Sequence, residues 1–243
     1  MTVKLETGRV FHRSEAIAEL VLEHSAIAPV LRRHRIDFSA KGSLTLEQVC
    51  ELNGTSVEVV LNDLHRAVQS PDQRPFTDPR AMSPAALMFH IVARHHSFLR
   101  DVLAVSEGLA IKVERVHAGR EAPLARIREV VHGLRALLEP HIEHEEVMLF
   151  PALLEHSMSK EELLAEAALS KNDHARTSAL LSELRQLTND YKPPEWADSS
   201  VRGLYHQLEG LEADTLEHVH LENYVLFPSL AAQRKEAEGH KHG

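Results

Sequence analysis

The chain is poor in cysteine, aromatic residues, long apolar runs and positive charge, and each shortage excludes a class of protein. Its 243 residues contain one cysteine, Cys50, so neither an intrachain disulfide nor a cysteine-based metal site can form. No apolar run approaches the roughly 20 residues of a membrane span, and the N-terminus lacks the apolar segment of a signal peptide. We therefore expect a cytoplasmic protein that does not enter a membrane.

The net charge and the histidine content narrow the possible classes of protein further. A net charge of −9 argues against a general nucleic-acid binder, which would present a basic face. Apolar residues make up 43% of the chain, which is ordinary for a globular protein, whereas aromatic residues make up only 5%. Histidine is the outlier, with 18 residues, and this excess directs attention to sites that use imidazole.

Two stretches carry the same motif, a histidine and a glutamate four residues apart, followed after four more residues by Leu-Phe-Pro. The pairs are His141 with Glu145 and His218 with Glu222, so the repeat has a period of 77 residues. On a helix, this spacing places both side chains of a pair on one face, one turn apart. An imidazole and a carboxylate supplied twice in this way are suitable ligands for two metal ions inside a helical bundle.

The histidine–carboxylate pair alone carries little weight. With 18 histidines and 36 acidic residues, about 2.7 such pairs are expected by chance, and three occur. The third, His117 with Glu121, spans a glycine. The shared Leu-Phe-Pro tail is what chance does not supply, so the repeat indicates a duplicated architecture before it indicates chemistry.

Segments with helical periodicity fill most of the chain, and clusters of glycine and proline separate them. In the N-terminal part the pattern predicts a helix over 13–36, one from Thr45 as N-cap through Leu52, and one from Thr55 or Ser56 through about Val68. Three prolines within 70–79 predict a linker. Four long helices follow, at 83–106, 123–156, 160–190 and 198–234.

The predicted fold class is all-α, because no segment shows sustained period-2 alternation bounded by hairpin turns. Four long helices with short connections indicate an up-down-up-down four-helix bundle. We predict a small helical N-terminal domain over 1–75 and the bundle over 80–236, with a boundary near 70–80.

The repeat brings two further histidines into the candidate site. His96 precedes His141 by 45 residues, His174 precedes His218 by 44, and the two are 78 residues apart. The bundle is therefore interpreted as two helical hairpins in tandem, each with a histidine on its first helix and a His–Glu pair on its second. The candidate metal ligands are His96, His141, Glu145, His174, His218 and Glu222.

Each candidate ligand lies in a stripe of one helical face, as His96 does with Phe89, Leu99 and Leu103. Burying these groups without partners would cost several kcal/mol per charge, and a pair of metal ions removes that cost. The ligand types suit iron, manganese or zinc, and two bridging carboxylates favour a di-iron centre. A metal-free buried polar network is the alternative. A ferritin-like centre would need two Glu-x-x-His motifs on inward faces, and in this chain Glu114–His117 falls at a helix end while Glu129–His132 faces away from His141.

These residues resemble the hemerythrin-like fold and, more closely, the RIC family of di-iron iron–sulfur cluster repair proteins. The similarity rests on Arg94-His95-His96, on 113–117, on Asn172-Asp173-His174 and on both Leu-Phe-Pro motifs. It covers nearly the whole chain, because 35–38 and 42–46 are similar to the family's small N-terminal domain. The family's four histidines and two glutamates fall on the same six residues that the spacing selects.

The resemblance implies two non-haem iron ions, bridged by carboxylates and by an oxo group. It implies a cytoplasmic protein that restores iron–sulfur clusters damaged by nitric oxide or oxidative stress by supplying iron. Iron–sulfur proteins would then be the recipients, nitric oxide or oxygen would be candidate ligands, and a homodimer is a candidate assembly.

Two departures from the related proteins keep other functions open. Oxygen-carrying hemerythrins have a fifth histidine one turn from the third-helix ligand, where this chain has Ser170 and Ser178, so the metal pair should be more open. The family's adjacent cysteines correspond to Ser39 and Ala40, while Cys50 is interpreted as a small core residue. The alternatives are a sensor or scavenger of nitric oxide or oxygen, and a di-iron reductase of nitric oxide, nitrite or peroxide.

Overall fold

The computed structural model describes residues 10–69, 78–120 and 123–239, and side chains as far as Gln233. The chain divides into two compact units, Met1–Met82 and Ser83–Gly243. The linker predicted at 70–79 lies mostly outside the described residues. The assignment of 1–75 and 80–236 as domains with separate roles stays a prediction.

The first unit is built from short helices. They are α1 (Ile17–Glu23), a 3-10 turn (Ser25–Ile27), α2 (Ala28–Arg33), α3 (Leu46–Leu52) and α4 (Val57–Gln69). The prediction of one helix over 13–36 is wrong. The backbone leaves helical geometry at His24, with φ −143°, and α2 restarts with Pro29 in its first turn, where proline is tolerated.

Local sequence signals account for the remaining helices of this unit. The Thr45 hydroxyl accepts a hydrogen bond from the Gln48 backbone amide, and the Gln48 side-chain oxygen accepts one from the Thr45 backbone amide. The predicted N-cap at Thr45 is therefore confirmed, in the form of a capping box. Cys50 is buried, as expected for a small core residue. The Ser39 hydroxyl donates to Asp37 over 2.6 Å and is also buried.

The second unit is a bundle of four long helical rods, three of which change from α- to π-helical geometry along their length. The first is α5 (Pro84–His90), a π segment (Ile91–His96) and α6 (Ser97–Val116), and the second is α7 (Leu124–His144), a π segment (Glu145–Leu149) and α8 (Phe150–Leu154). The third rod is α9 (Lys160–Leu187). The fourth is α10 (Ser199–Leu221), a π segment (Glu222–Leu226) and α11 (Phe227–Gly239).

The rods pack as an up-down bundle, with α6 against α7 and α10, and α7 against α9. The predicted all-α class is confirmed, since the described residues form no strand beyond one isolated bridge between Ala16 and Thr45. Among the described residues, no helix is long and apolar enough to cross a membrane.

The predicted ends of the long helices lie within about five residues of the observed ends, except at the end of the first helix. Ser83 caps α5, with Pro84 at the first helical position, as expected. The first rod continues ten residues beyond its predicted end at 106, because Ser106, Ala110 and Val113 extend its buried stripe past Gly108. A glycine on an exposed helix face costs only about 1 kcal/mol, which this packing offsets.

Candidate metal centre

Three of the six candidate ligands lie at the ends of π-helical segments, where three of the four rods widen. One π segment ends at His96, and the others begin at Glu145 and Glu222. Each of the latter two is followed by the Phe-Pro of the repeated tail, and proline has no N–H to continue the α-helical ladder. The repeated tail therefore coincides with the point where each widened turn returns to α-helix, a local feature often found at functional sites.

The widened turn also changes which residues face inward. Phe89 was expected in the buried stripe of His96, but its side chain is 75% exposed and Met88 is buried instead. A π turn takes up one extra residue, so the stripe shifts by one position on its N-terminal side.

All six candidate ligands meet inside the bundle, in two groups that share both carboxylates. One group contains His96 and His218, and the other contains His141 and His174; Glu145 and Glu222 belong to both. Within each group the ligand atoms lie within 4.8 Å of one another. Every one of the six side chains is buried.

Each carboxylate extends one oxygen toward each group. Glu145 places Oε2 3.4 Å from His96 Nε2 and Oε1 3.4 Å from His141 Nε2. Glu222 places Oε1 2.8 Å from His218 Nε2 and Oε2 3.0 Å from His174 Nε2. Two carboxylates placed in this way could each hold two cations.

The four imidazoles all turn the same ring nitrogen inward. His96 Nε2 lies 3.1 Å from His218 Nε2, and His174 Nε2 lies 3.3 Å from His141 Nε2. A neutral imidazole has one donor and one acceptor nitrogen, whereas a metal ligand presents a lone pair. In each group, two Nε2 atoms and one oxygen from each glutamate point toward a common position. This set of atoms suits one metal ion in each group.

The buried oxygens test whether the residues fit such ions. Within the described part of the chain, neither oxygen of Glu145 has a hydrogen-bond partner, and Glu222 Oε2 has only its contact of 3.0 Å with His174 Nε2. A buried carboxylate without partners costs several kcal/mol, and a bound cation supplies both the ligand bond and the opposite charge. The oxygen and nitrogen atoms therefore fit two iron ions in type and direction.

The ionisation of these groups follows from their burial. Burial lowers the pKa of His96 and of His141 to about 4, which favours the neutral imidazole that binds metal. Burial and the neighbouring Glu222 raise the pKa of Glu145 well above its usual range. Burial also acts to raise the pKa of Glu222, but His218 and His174 outweigh it and hold that pKa low.

Outer partners hold two of the imidazoles through Nδ1. His96 Nδ1 lies 2.9 Å from Glu146, which Arg100 contacts at 2.7 Å. His174 Nδ1 lies 3.2 Å from the Asn223 side-chain oxygen. Such partners fix the ring orientation and tautomer of a metal ligand.

The other two imidazoles are held differently. His141 Nδ1 lies 3.7 Å from Asp173, beyond a direct hydrogen bond. His218 Nδ1 has no hydrogen-bond partner among the described residues, and its ring stacks on His95 at 5.8 Å between centroids. His95 in turn lies 3.1 Å from buried Asp214.

Sequence reasoning missed these supporting residues. Glu146 and Asn223 directly follow the two ligand glutamates, so position next to a ligand was the one available signal. Asp214 is distant in sequence from His95, and no local pattern connects the two. The six residues that sequence reasoning did select are all brought together, and their role as iron ligands is proposed below.

A four-helix bundle with two buried groups of histidines that share two glutamates defines a class of helical proteins that bind a metal pair. Residues 87–230 match the family model of the hemerythrin HHE cation binding domain. The chain therefore belongs to the hemerythrin family. Its two groups of ligands can hold a di-iron site.

Similarity to individual proteins extends over most of the chain. The iron–sulfur cluster repair protein ScdA of Staphylococcus haemolyticus is 28% identical over 213 residues, which cover 87% of this chain and 95% of that protein. The iron–sulfur cluster repair protein YtfE of Escherichia coli is 28% identical over 221 residues, with 91% of this chain and 98% of that protein covered. YtfE of Shigella boydii is 27% identical with the same coverage.

Proposed function

We propose that this protein restores damaged iron–sulfur clusters and that it holds two iron ions as cargo for that purpose. His96, His141, Glu145, His174, His218 and Glu222 are the proposed ligands. The observation that carries the proposal is the pair of buried glutamates, each extending one oxygen to each pair of imidazoles. The similarity to ScdA and YtfE over nearly their whole lengths supports the role in cluster repair.

The residues around the ions determine how iron is held. Four neutral imidazoles and two carboxylates bring at most two negative charges to two divalent cations, so the site retains a net positive charge that can favour release as well as binding. Glu146 and Asn223 orient His96 and His174 through Nδ1, which leaves Nε2 for the metal. Bound iron would supply a labile ferrous ion to a damaged cluster.

The test is repair of a [4Fe–4S] dehydratase that has been damaged by nitric oxide, with its enzymatic activity as the readout. We expect recovery with the iron-loaded protein and no recovery with the variant Glu145→Gln/Glu222→Gln. The matched control is Glu143→Gln/Glu217→Gln, which makes the same charge change at two exposed neighbours on the same rods. The same amount of free ferrous iron must restore less activity than the loaded protein, or the proposed function is wrong.

A sensor or scavenger of nitric oxide is the second candidate function, and one residue beside the site favours it. Ser170, one turn before His174, is buried beside the site at a position where a fifth histidine would close it. An open metal position would admit a small ligand. Binding of nitric oxide to the ferrous protein with both irons retained, and without repair activity, would select this function.

Partner and location complete the proposal. We infer that iron–sulfur proteins are the recipients, that the protein acts in the cytoplasm, and that it forms a homodimer. Cell fractionation tests the location, and sedimentation at several concentrations tests the assembly. A protein that sediments as a monomer at all of them would contradict the homodimer alone.

A further inference from the structure

Among the described residues, the buried hydroxyl of Thr177 on α9 finds no hydrogen-bond partner. Its side chain is 1% exposed, so water at the protein surface does not serve it either. Thr188 and Thr215 are equally buried, but each donates to the carbonyl four residues before it, at 2.8 Å and 2.7 Å. Threonine commonly makes this bond in a helix. Thr177 therefore keeps a donor free that its own helix could have used.

Thr177 lies one turn from a proposed metal ligand. It follows His174 by three residues, so the two side chains share one face of α9 and are about 4.5 Å apart along the helix axis. His174 extends its Nε2 to within 3.0 Å of Glu222 Oε2. Because threonine is shorter than histidine, the Thr177 hydroxyl extends less far into the bundle than this nitrogen. The hydroxyl is therefore placed to meet a ligand of the ion and not the ion itself.

The same level of the other three rods offers this hydroxyl no free polar side chain. Three residues from the ligand histidines, toward the end of the bundle where α9 joins α10, these rods carry Leu99, Leu138 and Thr215. The two leucines are apolar and at most 1% exposed, and Thr215 donates its proton to Leu211. A buried hydroxyl without a partner destabilises a fold. A bound group that accepts the hydrogen bond would remove this cost.

The proposed metal centre can hold such a group. Each ion would receive one ligand atom from each of four side chains, two histidines and the two shared glutamates. An octahedral ion with this ligand set keeps positions open for ligands that are not protein atoms. A small anion bound there has lone pairs that accept an O–H bond, and hydrogen bonds to a charged group are stronger than those between neutral groups.

We propose that Thr177 is a positioning residue of the metal centre, and that its hydroxyl donates a hydrogen bond to a small anion bound to the ion of His141 and His174. The anion is of the class of hydroxide and azide, which carry lone pairs close to the metal. The hydroxyl keeps its proton, and no electron or group is transferred. This inference rests on the two-metal site of the proposed function, and it adds a residue that selects what occupies the open position.

The test is the affinity of azide for the oxidised, iron-loaded full-length protein, measured by the absorbance of the iron–azide complex. Thr177→Val removes the hydroxyl and keeps the branched shape of the side chain. Azide should therefore bind about ten-fold more weakly, equivalent to about 1.4 kcal/mol. Thr177→Ser keeps a hydroxyl and should restore most of the affinity. Iron per chain should be the same in both variants as in the unchanged protein.

Two control variants separate a hydrogen bond to the anion from the mere loss of a buried hydroxyl. Thr215→Val removes a hydroxyl one turn from His218 that is bonded to its own helix. Ser106→Ala removes a fully buried hydroxyl that has no partner in the described part of the chain, ten residues beyond His96. Neither change should alter the affinity for azide.

The stability of the metal-free protein gives a second readout, which a purely structural role would move in the opposite direction. Thr177→Val removes a buried hydroxyl that makes no hydrogen bond to the described residues, so the urea midpoint of the metal-free protein should rise. Ser106→Ala should raise it for the same reason. Thr215→Val breaks an existing hydrogen bond and should lower it. Thr177→Val should thus strengthen the fold and weaken the binding of azide.

The outcomes separate this inference from the proposed function. Equal affinity for azide in Thr177→Val and the unchanged protein would overturn the inference, as would an equal loss in Thr177→Val and Thr215→Val. A Thr177→Val variant that unfolds or no longer holds iron would make the hydroxyl structural and would overturn it too. A protein whose azide affinity depends on Thr177 but which fails to repair clusters would overturn the proposed function and leave this inference standing.

Discussion

Two regions of the bundle that bury carboxylates differ in how the described residues around them pair with these groups. Near the end of the bundle where α9 joins α10, Arg185 binds both oxygens of buried Glu212 and also Asp190. At the candidate metal centre, Glu145 and Glu222 are equally buried but have oxygens without hydrogen-bond partners. The first region is an ion-pair network, and the second contains the proposed metal ligands.

Backbone geometry supports the same distinction. Asn189, Asp190 and Tyr191 all adopt left-handed backbone angles, with φ of 49°, 58° and 57°. They place the centre of the Tyr191 ring 5.0 Å from the Arg185 guanidinium. The strained backbone here therefore supports a cation–π contact within the ion-pair network. At the metal centre the helices instead widen around the carboxylates. Burial of charge alone therefore does not mark a functional site, and the candidate metal centre differs in that its two buried carboxylates converge on four imidazole nitrogens.

The largest expected difference between the two regions is in metal content. Glu145→Ala or Glu222→Ala removes a ligand shared by both groups, so iron per chain should fall from about two to well below one. Glu143→Ala, an exposed neighbour, is the control. Elemental analysis after gel filtration measures the content, and circular dichroism checks that the helices remain. An unchanged content near two would remove Glu145 and Glu222 from the ligand set.

The ion pair at the other end should affect stability and not metal. Glu212→Ala leaves the Arg185 guanidinium buried with fewer partners, so the free energy of unfolding should fall by about 3–5 kcal/mol. Iron per chain should stay near two. Urea denaturation measures the loss, with exposed Glu209→Ala as control. A double replacement, Arg185→Leu/Glu212→Met, should restore most of the stability, and a double variant as unstable as Glu212→Ala would contradict the explanation.

Acid should destabilise the metal-free protein through its histidines. His96 and His141 have a pKa of about 4 when folded and one near 6.5 when unfolded. Between these values the unfolded chain binds more protons, so stability is complete above about pH 6.5 and falls progressively toward about pH 4. The loss should be on the order of 1–3 kcal/mol for each histidine. Denaturation of the His96→Gln/His141→Gln variant over the same range should show a weaker slope, and an equal slope would assign the acid sensitivity elsewhere.

The smallest expected effect concerns the ring that stacks on His218. His95→Ala removes this support and should weaken iron binding at the group of His96 and His218 about ten-fold. His95→Phe keeps a flat ring and should retain most of the affinity. Competition with a chelator at equilibrium measures both, with exposed His132→Ala as control. Equal losses for the two His95 variants would assign the effect to the Asp214 contact and not to the stacking.

Most of the site could be predicted from sequence because it rests on long-range periodicity. The duplicated His–Glu motif identifies the inward faces of two helices directly. The 77-residue period then selects His96 and His174 as the corresponding residues of the other two helices. Helix caps at Thr45 and Ser83 were also predictable, since each depends on a hydrogen bond to a residue three positions away.

The missed features depend on geometry that no short pattern encodes. The π segments shift the buried face by one residue, so Phe89 was assigned to the wrong side. Glu146 and Asp214 contact the imidazole rings of His96 and His95, which lie on a different helical rod. The helix α1 ends where the backbone leaves helical angles at His24. The break after α9 was predicted, but its three successive left-handed residues, none of them glycine, were not.

X-ray absorption at the iron edge of the loaded protein tests most directly whether the buried glutamates bridge two metal ions. The structure predicts about two imidazoles per iron and a second iron within roughly 4 Å, as is typical of two-metal sites. A spectrum with no iron neighbour, together with one iron per chain, would contradict it.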